Sequence, residues 1–161
     1  MQQTNSPLSN DIVREFVIAG HGNLEKLRKM LEENPELLNA SYAWSETDHE
    51  TAIQGAAQVG SATVATYLLE RGAPLEICTA AMLGQRDAVE KRIRDKPHNI
   101  NSKGAHGIPL LPHAAWSGDL ELVQFLFRTE QKPDLLPRSI MQLQEATMTW
   151  SSGWSKTLAR I

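Results

Sequence analysis

One short pattern occurs four times in this 161-residue chain and constrains its fold more than any other feature. Each copy has a small residue, a glycine three positions later, and then apolar residues at helical spacing. The first copy is Ala19, Gly22, Leu24, Leu27, Met30 and Leu31, and the second is Ala57, Gly60, Ala62, Val64, Ala65, Leu68 and Leu69. The third is Ala81, Gly84, Ala88, Val89 and Ile93, and the fourth is Ala115, Gly118, Leu120, Leu122, Val123, Leu126 and Phe127. Physically, this reads as a helix, a tight turn at glycine and a second helix. The alanines keep the first helix slim enough for close stacking, and glycine supplies the positive φ that ends it. The apolar residues that follow form one stripe of the second helix. Asn23, Ser61 and Asp119 stand where they can cap that helix.

A single hairpin of this kind cannot bury its own stripe, so copies must stack. Helices are expected near 11–20, 23–33, 52–58, 61–71, 77–82, 85–95, 110–117 and 119–128, with almost no sheet beyond turns between units. The second unit, TAIQGAAQVGSATVATYLLERGAPL from Thr51 to Leu75, resembles the ankyrin repeat: Thr51-Ala52-Ile53 stands where that family has Thr-Pro-Leu, and Gln54 replaces its common His. The fourth, IPLLPHAAWSGDLELVQFLF from Ile108 to Phe127, is similar to the same repeat, with His113 one place nearer the alanine pair. The look is that of bacterial ankyrin proteins. The resemblance covers residues 11–128 and implies an all-α ankyrin-repeat solenoid of four stacked helix pairs, in units of about 11–41, 51–75, 76–103 and 108–128, after an N-terminal tail of residues 1–10. It also implies a non-catalytic module that binds another protein through its concave inner helices and finger loops.

Spacing between the glycines is uneven: 38, 24 and 34 residues, against about 33 in a regular array. The excess after Gly22, NPELLNASYAWSETDHE, is expected to project as a long finger. After Gly60 the finger is nearly missing, because Ala73-Pro74-Leu75 runs directly into the next helix. Partner-binding candidates follow from these positions. Met82 and Trp116 each stand one residue beyond a conserved-in-pattern alanine, where large side chains make interface anchors. Gln58 and His21 share the same inner edge, and the finger contributes Tyr42 and Trp44 beside Glu46, Asp48 and His49. In the third unit the run Arg86, Glu90, Lys91, Arg92, Arg94 and Lys96 reads as a solvated face with a Glu90–Arg94 pair. An anion-binding face is the sharper alternative.

Other classes are disfavoured. A net charge of −3 leaves no basic footprint for nucleic acid. No apolar run reaches the roughly 18 residues of a membrane span, and MQQTNSPLSN lacks the charged and apolar regions of a signal peptide. The single cysteine, Cys78, fits a reducing compartment, so a cytoplasmic location is expected. Cys78 occupies an apolar repeat position without an evident base, and the histidines at 21, 49, 98, 106 and 113 lack metal-ligand spacing. No catalytic residue, metal or cofactor is expected. The alternative functions are a small-molecule or anion-binding scaffold, or a truncated, non-functional remnant of a longer array.

The pattern stops after Phe127. Residues 129–161 are an atypical tail, RTEQKPDLLPRSIMQLQEATMTWSSGWSKTLARI from Arg128 on, in which a Gly-Ala like Gly72-Ala73 is missing. One reading is a diverged cap or a disordered terminus, with an amphipathic turn at Ser139–Ala146. The favoured reading is a frameshifted fifth repeat: codons taken one base out of register allow Asn-Gly-Ala-Lys after Arg128, and later Ala-Val, two residues, then Gly-His-Asp-Asp-Met-Val-Glu-Trp-Leu-Val. The expected consequence is that Leu122, Leu126 and Phe125 lose their stacking partner. The exposed C-terminal face would then favour self-association, or an improvised cover from Leu135, Leu136, Ile140 and Leu143.

Overall fold

A computed structural model describes residues 8–131 of the chain. The readings made for residues 132–161, including the turn and the improvised cover, lie outside the described residues. Eight α-helices dominate the described region: α1 (Asn10–Gly20), α2 (Leu24–Glu33), α3 (Ala52–Gln58), α4 (Ala62–Glu70), α5 (Ile77–Met82), α6 (Arg86–Asp95), α7 (Leu110–Trp116) and α8 (Leu120–Gln131). Between α2 and α3, strands β1 (Ser41–Ala43) and β2 (His49–Thr51) form an antiparallel hairpin, with Tyr42 opposite Glu50. The chain is mostly helical. None of the described helices is long and apolar enough to cross a membrane.

The turn glycines behave as their spacing requires, with φ of 127° at Gly22, 72° at Gly60, 69° at Gly84 and 71° at Gly118. Asn23 caps α2 by accepting from the Lys26 amide, and Asp119 caps α8 by accepting from Leu122. Ser61 makes no side-chain cap bond. Thr51 instead caps α3, in a reciprocal box with Gln54 whose amide also donates to Glu76 at 3.0 and 3.1 Å. Two 3-10 turns, Pro35–Asn39 and Pro97–Asn101, follow α2 and α6 and lead each chain segment outward. Proline cannot continue the preceding helix and disfavours helical backbone at the residue before it, which is why both helices stop two residues before it.

Each odd-numbered helix packs on the even-numbered one that follows it, and the odd helices touch in succession: α1 with α3, α3 with α5, α5 with α7. The approach of α1 to α3 depends on Gly20, where a Cβ would lie 2.4 Å from the Ala52 carbonyl oxygen. Buried side chains divide into two clusters. Phe16, Leu27, Leu37, Ile53, Val64, Leu68 and Met82 centre the first, and Val89, Ile93, Ile100, Leu110, Leu122 and Leu126 the second.

Three expectations need correction here. Leu122 and Leu126 are fully buried, and Phe125 is half-buried, because α8 turns them toward α7 and the second cluster. The apolar side chains that α8 leaves exposed are Leu120 and Phe127. On α6 the i,i+4 ion pair is Lys91–Asp95, while the expected Glu90–Arg94 pair is not formed. Finally, α8 continues to Gln131 rather than ending at 128. No glycine follows it as Gly72 (φ 96°) follows α4, and the buried Thr129 hydroxyl donates back to the Phe125 carbonyl at 2.8 Å.

Candidate functional site

Pairwise contacts through Glu50 and Gln58 link five of the six candidate residues: His21, Tyr42, Trp44, Gln58 and Trp116. His21 follows α1. Its Nδ1 lies 3.1 Å from the Val17 carbonyl oxygen, and its Nε2 lies 3.1 Å from Gln58 Oε1 and 3.2 Å from Glu50 Oε1. Both ring nitrogens face acceptors, so both carry protons. Hydrogen bonding to Glu50 is the largest cause lifting the His21 pKa to about 9; partial burial opposes it, and the Glu50 charge and the Val17 carbonyl add to it. His21 is therefore an imidazolium at neutral pH.

Glu50 is the centre of this arrangement, and sequence reasoning missed it. The side chain is 0% exposed. Strand alternation explains its direction: His49 points out, and Glu50, next in β2, points in. It accepts from the Trp44 indole N–H at 2.6 Å, and His106 Nε2 lies 3.5 Å away. An inward acidic residue directly before the Thr51 cap was the available signal. A carboxylate there needs buried donors, and a histidine and a tryptophan were both within reach.

His106 enters from a distant part of the chain. It lies in the turn Ala105–Gly107 with φ 55°, a left-handed conformation that is costly for a side chain of this size. The partner that holds it there is Asp48, 2.6 Å from Nδ1. The missing finger between α4 and α5 makes this bridge geometrically feasible. With nothing between them, the third connection reaches across to the first hairpin.

Trp44 and Tyr42 are half-buried and pack on the first cluster. They meet edge to face at 4.8 Å, and the Arg14 guanidinium lies over Trp44 at 5.8 Å. Trp44 thus folds back onto the first helix pair instead of standing free at a finger tip. Met82 is the clearest correction among the candidates. It is 2% exposed, within the first cluster, and forms part of the core between helix pairs.

Trp116 differs from all of these. It is 60% exposed, yet its indole N–H donates to the Gln58 carbonyl at 3.0 Å. The ring lies over Gly60, where a Cβ would approach it to 2.6 Å. The side chain therefore crosses from the fourth helix pair to the second, past the third. Gln58 links the two ends of the surface, with its side chain on His21 and its carbonyl on Trp116.

Elsewhere the chemistry is quiet. Burial, with Glu76 adding, pushes the Cys78 thiol up to about 12, so the thiolate that a nucleophile needs does not form at neutral pH. Among the described residues, no group of three or more His, Cys, Asp or Glu side chains is placed to hold a metal ion. In the open groove of about 500 Å³ at Gly84–Ala88 the cation is already paired: Arg86 binds Asp119 through two nitrogens and also contacts Glu121. The hydrogen bond to Asp119 is the main reason the Arg86 pKa rises, and the same bond lowers that of Asp119. Arg92 donates to the Leu75 carbonyl at 2.7 Å. No family model matches this chain, and no curated protein matches it.

Proposed function

We propose that this chain is a non-catalytic ankyrin-type solenoid, acting in the cytoplasm, that binds another protein through the inner edge running from His21 past Gln58 to Trp116. Tyr42 and Trp44 flank that edge. The single observation that carries this reading is Trp116: a large aromatic ring, mostly exposed, whose position is fixed by one hydrogen bond and one glycine. A pre-set ring of this kind gives up little conformational freedom on binding and offers a wide apolar contact. The succession of touching first helices supports the solenoid reading, as does the recurrence of the turn glycines. The polar group around Glu50 ties the first hairpin to α1 and to the third connection, so its role is to stiffen the frame beneath the binding edge. The anion-scaffold alternative is weakened by the pairing of Arg86 and Arg92.

The test compares proteins retained by the immobilised chain with those retained by Trp116→Ala, after both show the same circular-dichroism spectrum. A partner held by the first and lost by the second supports the reading. Retention of the same set by both overturns it.

A further inference from the structure

Two positions near each turn glycine record which neighbours a helix pair has. Three residues before the glycine stand Ala19, Ala57, Ala81 and Ala115; the first three are buried and Ala115 is exposed. Four residues before it stand Ile18, Ala56, Ala80 and Ala114; here Ile18 is exposed and the other three are fully buried. Because the odd helices touch in succession, the first position faces the following pair and the second faces the preceding pair. Beyond α7 and α8 the following pair is absent among the described residues. Phe127 is 53% exposed there, whereas Leu69, which matches it in the second pair, is half-buried. Val123 and Phe125 are half-buried, whereas Ala65 and Tyr67, which match them in the second pair, are buried.

We propose that the occupant of this face is a fifth helix pair, which the gene carries one base out of frame from the codons near Arg128. Whatever synonymous codons are used, the genetic code fixes two of its residues and restricts two more to an apolar set. Each shifted codon takes the last base of one in-frame codon and the first two of the next. Met141 then Gln142 yields alanine, and Met148 then Thr149 yields aspartate. Thr149 then Trp150, and Gly153 then Trp154, each give a base followed by TG, which encodes only Leu, Met or Val. The codon spanning Glu145 and Ala146 encodes glycine or serine, and it takes the place of the turn glycine.

With that register, the four residues fall on positions that match the fourth pair, where Ala114, Glu121, Leu122 and Leu126 stand. The alanine lands four before the glycine, where Ala56, Ala80 and Ala114 are fully buried against the preceding pair, and so it would meet Ala115. The aspartate lands three after it, in the first turn of the second helix, where Glu25, Asp87 and Glu121 stand. The two apolar residues land four and eight after it, where Val64 and Leu68 in α4, and Leu122 and Leu126 in α8, are fully buried; in α2 and α6 the buried residues stand five and nine after the glycine, so the fifth pair follows the second and fourth in this respect. Two fixed and two restricted residues that meet these requirements together favour a frame once read as protein.

The experiment inserts one base at codon 129 of the natural coding DNA and compares the restored full chain with the unchanged one, with and without Ala115→Arg. The restored chain is expected to melt about 5–10 °C higher. Ala115→Arg removes that gain in the restored chain and shifts the unchanged chain by about 1 °C or less, as for a surface substitution. A stop codon in the shifted frame before the codon spanning Trp154 and Ser155 overturns the proposal. So does an unchanged melting point, or an equal cost of Ala115→Arg in both chains. If the unchanged chain dimerises in sedimentation and Ala115→Arg abolishes this, the occupant is a second copy. If deleting residues 132–161 from the unchanged chain lowers its melting point, the occupant is the in-frame segment. Either outcome also overturns the proposal.

Discussion

Trp44 and Trp116 use the same side chain in opposite ways. Each satisfies its indole N–H, Trp44 on the buried Glu50 carboxylate and Trp116 on the Gln58 backbone carbonyl. Trp44 is half-covered by the first helix pair and Arg14, while Trp116 keeps most of its ring in solvent. The difference lies in what each ring holds in place. Trp44 supplies a donor that a buried carboxylate requires, so removing it leaves a charge-bearing group under-satisfied. Trp116 rests on a finished surface, and its removal exposes little that was covered. Satisfied polar atoms therefore do not distinguish a structural aromatic from a presented one; the burial of the acceptor's side chain does.

The largest expected effect is at Glu50. Glu50→Ala removes the acceptor of the Trp44 N–H and the buried carboxylate that faces His21 and His106, at a cost of about 3 kcal/mol. Urea titration checks it, and a loss below about 1 kcal/mol would mean that water replaces the carboxylate freely. Close behind is a pH effect. The folded-state pKa of His21 is raised from 6.5 to about 9. Its contribution is thus fully present below about pH 6.5 and is lost as pH rises through 9. The loss is on the order of 2–3 kcal/mol. His21→Gln should flatten that slope between pH 6.5 and 9.5, whereas an equally steep slope in the variant would assign it to other groups. Trp44→Phe keeps the ring and removes the donor, costing about 1–2 kcal/mol.

Gly60→Ala sharpens the contrast from the other side. It strains a backbone at φ 72° and places a Cβ against the Trp116 ring. A cost of about 1 kcal/mol or more is expected. In a Trp116→Ala background the steric part disappears and only the backbone part remains. Equal costs in the two backgrounds would show that the ring does not lie where it is described.

Much of the helical skeleton was legible because glycine and alanine spacing reports backbone geometry directly. The bounds of α3 (Ala52–Gln58) and α5 (Ile77–Met82) coincide with those expected from the sequence. Side-chain destinations were less legible. Met82 and Trp116 occupy matching positions in the pattern, yet one is core and the other is surface. The pattern specifies the turn, not what lies beyond it: Met82 has apolar neighbours from the second pair, and Trp116 reaches past the third pair to Gln58. The Glu50 group was invisible for a related reason. Its members come from residues 21, 44, 50 and 106, and only the shortened connection after Gly72 lets the last of them approach. A missing finger is readable as a length, but what fills the gap is a tertiary fact. The end of α8 was misjudged because a loss of sequence pattern was equated with a loss of helix, although Thr129 still bonds back to the turn before it.

Trp116 is presented by the frame, and Met82 belongs to it. Parallel urea titrations of Trp116→Ala and Met82→Ala test that claim most directly. The expected result is a loss of about 0.5 kcal/mol or less for Trp116→Ala and about 2–4 kcal/mol for Met82→Ala. A loss of about 3 kcal/mol or more from Trp116→Ala would place that ring in the core and contradict the claim.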